Sequence, residues 1–226
     1  MVHSFPTRRS SDLTLHSMGS GTGLAGGFAK LSAFGLDKPI LAVCGDSTFY
    51  HAVIPALINA QHNRADITFI VLDNAGTAMT GFQPHPGLTM SALGETVPAV
   101  DIAAVCRGIG AKVAIADPFD IDTTTKILTG YLAQKGEVKV LILRQACALS
   151  PEKKGKKTFD VRVNEELCLG DACGCNGLCT RVFRCPALTW DKDKKKAVVD
   201  EVICAGCGVC VSICPQKAIE KAQAVI

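Results

Sequence analysis

Pro39-Ile40-Leu41-Ala42-Val43-Cys44-Gly45-Asp46-Ser47 and Ile67-Thr68-Phe69-Ile70-Val71-Leu72-Asp73-Asn74 decide the fold. Each is a short apolar run that ends abruptly in polar residues. Runs of this length without polar alternation are strands buried on both faces. Between them, residues 48–63 carry apolar positions at helical spacing: Phe49, Val53, Ala56, Leu57 and Ala60. Outward from this pair the alternation continues. Gly19 to Phe34 is a Gly/Ala-rich helix and Asp101 to Ile109 another; Lys112 to Ala116 is a strand, Thr123 to Gln134 a helix and Val138 to Leu143 a strand. Strand-helix alternation of this kind predicts an α/β unit, a parallel sheet with helices on both faces. Residues 75–98 break the pattern. With five Gly or Pro between Gly76 and Gly87, they are expected to form a long functional loop.

Composition bounds the rest. The chain has 226 residues, enough for one or two domains with their own cores. Its 24 Lys and Arg against 21 Asp and Glu leave a net charge of +3, too balanced for a dedicated nucleic-acid binder. Of its 12 Cys, Cys44, Cys106 and Cys147 precede residue 160 and the other nine crowd into residues 168–214. That distribution excludes a secreted disulfide scaffold and points to metal ligation in a reducing, cytoplasmic compartment. Cys44, Cys106 and Cys147 lie in apolar helices and strands and are expected to be structural. No apolar run reaches the roughly 18 residues of a membrane helix. The opening MVHSFPTRRSSDL has no signal-peptide character, and residues 1–14 are set aside as a leader foreign to the protein.

Ser150 to Asp160, with a Pro, a Gly and four Lys, is expected to be an exposed linker. Residues 161–226 then form a second, small α+β unit with an internal repeat, each half ending a Cys cluster in Cys-Pro, and a helix near Ala218 to Ala224 is expected to close the chain. Cys204-x₂-Cys207-x₂-Cys210-x₃-Cys214-Pro is the spacing of bacterial ferredoxins, in which three thiolates hold one cluster and the fourth reaches the neighbouring one. Zinc ribbons use paired C-x₂-C units instead. The first half, Cys168-x₄-Cys173-x-Cys175-x₃-Cys179-x₅-Cys185-Pro, holds five Cys where four would do. Crossed ligation would join Cys185 to Cys204, Cys207 and Cys210, and Cys214 to three of Cys168, Cys173, Cys175 and Cys179. Cys168 and Cys179 hold the outer positions; the choice between Cys173 and Cys175 stays open.

At the other end of the chain, Gly45-Asp46-Ser47 and Asp73-Asn74 both sit at carboxyl ends of strands, with 25 residues between Ser47 and Asp73. One helix fits that interval, so both arrive at the sheet edge where α/β folds bind ligands. A carboxylate and an amide oxygen converging there are hard ligands suited to Mg²⁺, which shares its shell with ligand phosphates. Gly76 can add a backbone carbonyl. The arrangement resembles the thiamine-diphosphate motif, with Ser47 in place of its second Gly. By that resemblance Asp46, Asn74 and the Gly76 carbonyl hold Mg²⁺, and Gly45 and Ser47 lie beside the diphosphate. His51 and His85 are weaker candidates for reaching a substrate, and each has an ordinary structural role as its alternative.

Together, a thiamine-diphosphate unit (15–149), a linker (150–160) and a two-cluster ferredoxin-like unit (161–226) resemble the 2-oxoacid:ferredoxin oxidoreductases, at the C-terminal part of their large (alpha) subunit. Further residues carry the resemblance: Met18-Gly19-Ser20-Gly21, the loop Thr77-Ala78-Met79-Thr80-Gly81-Phe82-Gln83-Pro84-His85-Pro86-Gly87, and Phe183-Arg184-Cys185-Pro186-Ala187-Leu188. It covers residues 15–226. The loop favours the branch that acts on arylpyruvates such as indolepyruvate. The resemblance implies oxidative decarboxylation with CoA to an arylacetyl-CoA, with electrons passing through two [4Fe–4S] clusters to ferredoxin. It also implies a small (beta) subunit as partner, and an activating Glu on a separate pyrimidine-binding domain that precedes this region. The chain alone is therefore expected to carry clusters without turning over. The alternatives are pyruvate or another 2-oxoacid as substrate, or a non-catalytic electron-transfer module.

Overall fold

The computed structural model describes residues 17–150 and 157–222. The foreign-leader expectation, most of the linker and the last four residues lie outside them. The chain divides into two compact units. One comprises residues up to Asp117 together with Thr124–Gln145; the other comprises Pro118–Thr123 and the residues from Ala146 onward.

The first unit is built on four parallel strands, β1 (Leu41–Gly45), β2 (Ile67–Asp73), β3 (Lys112–Ala116) and β4 (Val138–Arg144), in the order β1-β2-β4-β3. The helices are α1 (Ser20–Lys30), a single turn α2 (Asp46–Thr48), α3 (Ile54–His62), α4 (Ile102–Ile109) and α5 (Ile121–Ala133). One face of the sheet carries the main core, where Phe69, Val71, Val140 and Ile142 meet Phe49, Val53 and Leu57 of the α2–α3 segment, Ala25 of α1 and Cys106 of α4. Truncating a buried Phe such as Phe69 would cost about 3–5 kcal/mol. The other face is packed by α5, whose Tyr131, Ile127 and Leu128 lie on Ile70, Leu141 and Ala116. Helices thus cover both faces, as a sheet of unbroken apolar strands requires.

The segment predicted as one helix from Thr48 to Asn63 starts two residues earlier and contains a π-turn, Phe49–Val53, between α2 and α3. Pro55 explains the wide turn, because it has no N–H to return to the His51 carbonyl. The Gly19-to-Phe34 helix ends as α1 at Lys30 and tightens to a 3₁₀ turn over Leu31–Phe34. Residues 74–101 form the expected long loop. It has one 3₁₀ turn, Ala78–Thr80, and is tied by the isolated pairs Thr77–Gln83 and Met90–Thr96. Among the described residues no helix is long and apolar enough to cross a membrane.

The second unit is a pair of two-stranded antiparallel sheets, β5 (Asp160–Val163) with β8 (Ile219–Ala222), and β6 (Leu188–Asp191) with β7 (Lys196–Val199), plus the short helix α6 (Cys210–Ile213). Its core combines Val161, Leu188, Ala197 and Ile219 with the thiols Cys179 and Cys210. β8 corrects the expected closing helix, whose last residues, 223 and 224, lie outside those described. Seven residues are too few to sustain a helix alone. Pairing with β5 instead buries Ile219 at 2% exposure. Cys147 is a second correction: it lies in a loop after β4, half-buried, and in no helix or strand. Cys44 on β1 and Cys106 on α4 are buried, and burial pushes both thiols up to about 12.

Candidate functional site

β1 and β2 are parallel neighbours with Gly45 opposite Leu72, so the residues that follow them emerge side by side. Asp46 opens α2 and Asn74 follows the last residue of β2. Asp46 is almost wholly buried, at 2% exposure. Its Oδ1 accepts the Ser47 N–H at 2.7 Å, and its Oδ2 accepts the N–H groups of Asn74 at 3.1 Å and Gly76 at 3.3 Å. Burial alone would raise its carboxyl. The contacts with His85, Ser47 and Gly76 outweigh burial and hold it below the usual carboxylate range.

Two left-handed residues other than glycine shape the loop. Ala75 has φ +61°, a conformation unfavourable for a residue with a Cβ. That turn folds Asn74 and Gly76 back over Asp46. The Asn74 amide donates to the Gly76 carbonyl oxygen at 2.6 Å and to Asp46 Oδ2 at 3.1 Å, so the three groups converge on one point. The donor set, a carboxylate, an amide and a carbonyl, fits Mg²⁺. A Cβ on Gly45 would meet no protein atom within 4 Å, so that side of the turn is open to a ligand. Ser47 contributes its N–H to Asp46. The second left-handed residue, Phe82 (φ +64°), closes the Thr77–Gln83 turn, and its ring lies 3.3 Å from the Cβ position of Gly76.

The two His candidates part company. His51 is exposed on the π-turn. His85 is buried, with Nε2 3.1 Å from Asp46 Oδ2 and Nδ1 accepting the Gly87 N–H at 3.1 Å. Its ring stacks on Tyr50 at a centroid distance of 5.4 Å. Tyr50 donates its hydroxyl to the Val100 carbonyl, and burial, with Asp73, Asp101 and Asp46 nearby, pushes it up to about 12. Sequence reasoning missed Tyr50, whose helical position gives no sign of its neighbours. It also missed Arg144, which ends β4 and bonds Asp73 at 2.7 Å and Asp101 at 3.1 Å. Asp101 in turn caps α4 through the Ala104 N–H. Beside His85 the loop borders an open groove of about 320 Å³ lined by Pro84, Pro86, Leu88, Val97, Pro98 and Val100.

In the second unit the nine Cys fall into two sets. Cys168, Cys173, Cys175, Cys179 and Cys214 line one apolar cavity with Val163, Trp190 and Ile219. Around Cys210 lie Cys207, Cys185 and Cys204; burial first, then these thiols, pushes Cys210 up to about 11. Among the described residues no three His, Cys, Asp or Glu already surround a metal-sized point. A set of thiols around an apolar hollow is nevertheless the donor chemistry of iron–sulfur clusters.

Residues 2–142 match the family described as thiamine pyrophosphate enzyme, C-terminal TPP binding domain, and residues 197–220 match the 4Fe-4S binding domain. The chain belongs to the thiamine pyrophosphate enzyme family. It is similar to the indolepyruvate oxidoreductase subunit IorA of Pyrococcus horikoshii, 40% identical over 237 residues, covering 96% of this chain and 35% of the relative. The same-named subunits of Archaeoglobus fulgidus (38% identical; 94% of this chain, 32% of the relative) and Thermococcus kodakarensis (42%; 80% and 28%) are similar too. The chain spans about a third of the length of the curated relatives it matches.

Proposed function

We infer that this chain is the diphosphate-binding and electron-transfer portion of a thiamine-diphosphate-dependent 2-oxoacid:ferredoxin oxidoreductase acting on arylpyruvates. The observation that carries the inference is the convergence of Asp46 Oδ2, the Asn74 amide and the Gly76 carbonyl at the carboxyl edge of the sheet. Bound there, thiamine diphosphate supplies an electron sink for loss of CO₂ from a 2-oxoacid, and iron–sulfur clusters accept electrons singly. Asp46, Asn74 and the Gly76 carbonyl hold Mg²⁺, and Gly45 and Ser47 leave the turn open toward the diphosphate. His85 orients Asp46 from behind and is itself fixed by Gly87 and Tyr50. The apolar groove beside His85, of about 320 Å³, falls within the ~300–1,000 Å³ of small-molecule pockets and suits an aryl side chain. Cys185, Cys204, Cys207 and Cys210 hold one cluster, and Cys214 with thiols of the first half holds the other. The small subunit, CoA and ferredoxin are the partners this reaction calls for, and a cytoplasmic setting keeps the thiols reduced.

The test combines metal content with turnover. Anaerobically reconstituted chain should carry about eight iron and eight sulfide. Assembled with its partner subunit and the rest of the large subunit, it should reduce ferredoxin with indolepyruvate and CoA faster than with pyruvate. Asp46→Ala should abolish that activity. Zinc in place of iron, or full activity in Asp46→Ala, overturns the reading.

A further inference from the structure

The long loop runs between two carboxylates, Asp73 at the end of β2 and Asp101 at the cap of α4, and one side chain joins them. Arg144, the last residue of β4 and the register partner of Asp73, donates from Nε to Asp73 Oδ2 at 2.7 Å and from Nη2 to Asp101 Oδ1 at 3.1 Å. These two donors lie along one edge of the planar guanidinium, so a single rigid group sets the spacing of the two carboxylates. The next residue holds Arg144 in register, since the Gln145 N–H donates to the Asp73 carbonyl at 3.0 Å.

Both ends of this bridge lead directly to the site around Asp46. Asp73 precedes Asn74. Asp101 follows Val100, whose N–H donates to the Pro86 carbonyl at 2.9 Å and whose carbonyl accepts the Tyr50 hydroxyl. Pro86 follows His85, whose Nε2 stands 3.1 Å from Asp46 Oδ2. The Arg144 and Asp101 side chains are 45% and 48% exposed, and ion pairs that open to water add little to the stability of a whole fold. Their effect falls on the loop: with its base pinned, the segment has less conformational entropy to lose when a ligand binds.

We propose that Arg144 is a positioning residue, a two-ended clamp that holds the base of the loop closed so that Asn74, Gly76 and His85 stand in place around Asp46. The proposal rests on the reading of that site as the one for Mg²⁺ and thiamine diphosphate.

The experiment follows the full chain and its Arg144→Ala, Arg144→Lys and Asp101→Asn variants by hydrogen exchange of the loop peptides, calorimetric titration with thiamine diphosphate and Mg²⁺, and thermal unfolding. Asn keeps the cap on α4 while giving up the charge that pairs with Arg144. Arg144→Ala should exchange faster over residues 74–101 and unfold close to the wild-type temperature. Its cofactor affinity should fall about 10-fold, the low end for a residue behind a metal ligand. Arg144→Lys should behave alike, because an ammonium lacks the fork. Asp101→Asn should lose less than Arg144→Ala, and adding it to Arg144→Ala should cost nothing further. Millimolar guanidinium should restore binding to Arg144→Ala where ammonium does not. Wild-type exchange in the loop of Arg144→Ala, or wild-type affinity in Arg144→Lys, overturns the clamp. Wild-type chain that binds no thiamine diphosphate overturns the site reading beneath it instead, and the exchange rates then decide the clamp alone.

Discussion

His85 Nε2 lies 3.1 Å from Asp46 Oδ2, with both side chains buried. Because Nδ1 accepts the Gly87 N–H, the neutral ring carries its proton on Nε2, facing the carboxylate. The alignment misses hydrogen-bond geometry, so the contact acts mainly through charge and dipole. It comes from the loop, thirty-nine residues downstream of Asp46, and so links loop placement to the carboxylate proposed to hold Mg²⁺.

This contact predicts graded losses in cofactor binding. Asp46→Ala should remove Mg²⁺-dependent thiamine diphosphate binding in calorimetric titration. His85→Ala should weaken it by about 10–100-fold, the range for a residue behind a metal ligand. Gly87→Ala should resemble His85→Ala, since its Cβ would stand 2.4 Å from the Tyr50 hydroxyl and 3.0 Å from His85 Cε1. Unchanged affinity in Gly87→Ala would mean that the Tyr50–His85 stack does not position Asp46.

Acid should erase what Asp46 adds to stability. Its carboxyl is held below the usual range, so its stabilising effect is complete above about pH 4 and lost as pH falls through the folded-state value. Asp46→Asn should therefore cost about 1–3 kcal/mol at pH 7 without metal, by urea unfolding. That gap should narrow steadily below pH 4. A gap that does not change with pH would assign the cost to shape rather than charge.

Much of this arrangement is legible in the sequence because it is periodic. The runs at Leu41 and Ile67 are strands since nothing but a doubly covered sheet buries them, and their polar ends must then share an edge. The Cys204-to-Cys214 spacing is equally local. What the sequence hides is non-local: nothing near His85 says that it reaches Asp46 while His51, five residues from Asp46, faces solvent. Arg144 likewise finds Asp73 and Asp101 only after the strands have been ordered. β8 was hidden for the same reason, since its partner β5 lies nearly sixty residues away.

Ala75 tests the strain in the loop proposed to hold Mg²⁺. Its left-handed backbone costs about 1–2 kcal/mol for a residue with a Cβ, of which Gly would return part after its own entropy loss. Ala75→Gly should raise stability by about 0.5 kcal/mol, and Ala75→Val should lower it by more than that. Thermal unfolding of the two variants checks the sign. A destabilised Ala75→Gly would mean that the loop does not need the left-handed turn.

Thiol labelling should separate the two kinds of Cys. Burial pushes Cys44 and Cys106 up to about 12, leaving a thiolate fraction of roughly 10⁻⁴ at pH 8. Neither should react with iodoacetamide in the folded chain, and both should react in denaturant, by peptide mass spectrometry. Labelling of Cys106 under native conditions would show that α4 opens from the sheet.

The opposite edge of the sheet carries a buried ion pair whose removal should be costly in one direction only. Lys139, on β4, is 1% exposed and donates to Asp66 at 2.6 Å and to the Gln134 carbonyl at 2.7 Å. Asp66→Ala leaves that ammonium buried with one neutral partner, and should cost about 3–5 kcal/mol. Lys139→Met removes the buried charge instead and keeps the volume, while the Asp66 side chain, 32% exposed, can still reach water. It should cost much less, and the double variant should be closer to Lys139→Met than to Asp66→Ala. Urea unfolding of the three variants decides it: equal losses for both single variants would mean that the pair itself, and not the stranded charge, carries the energy.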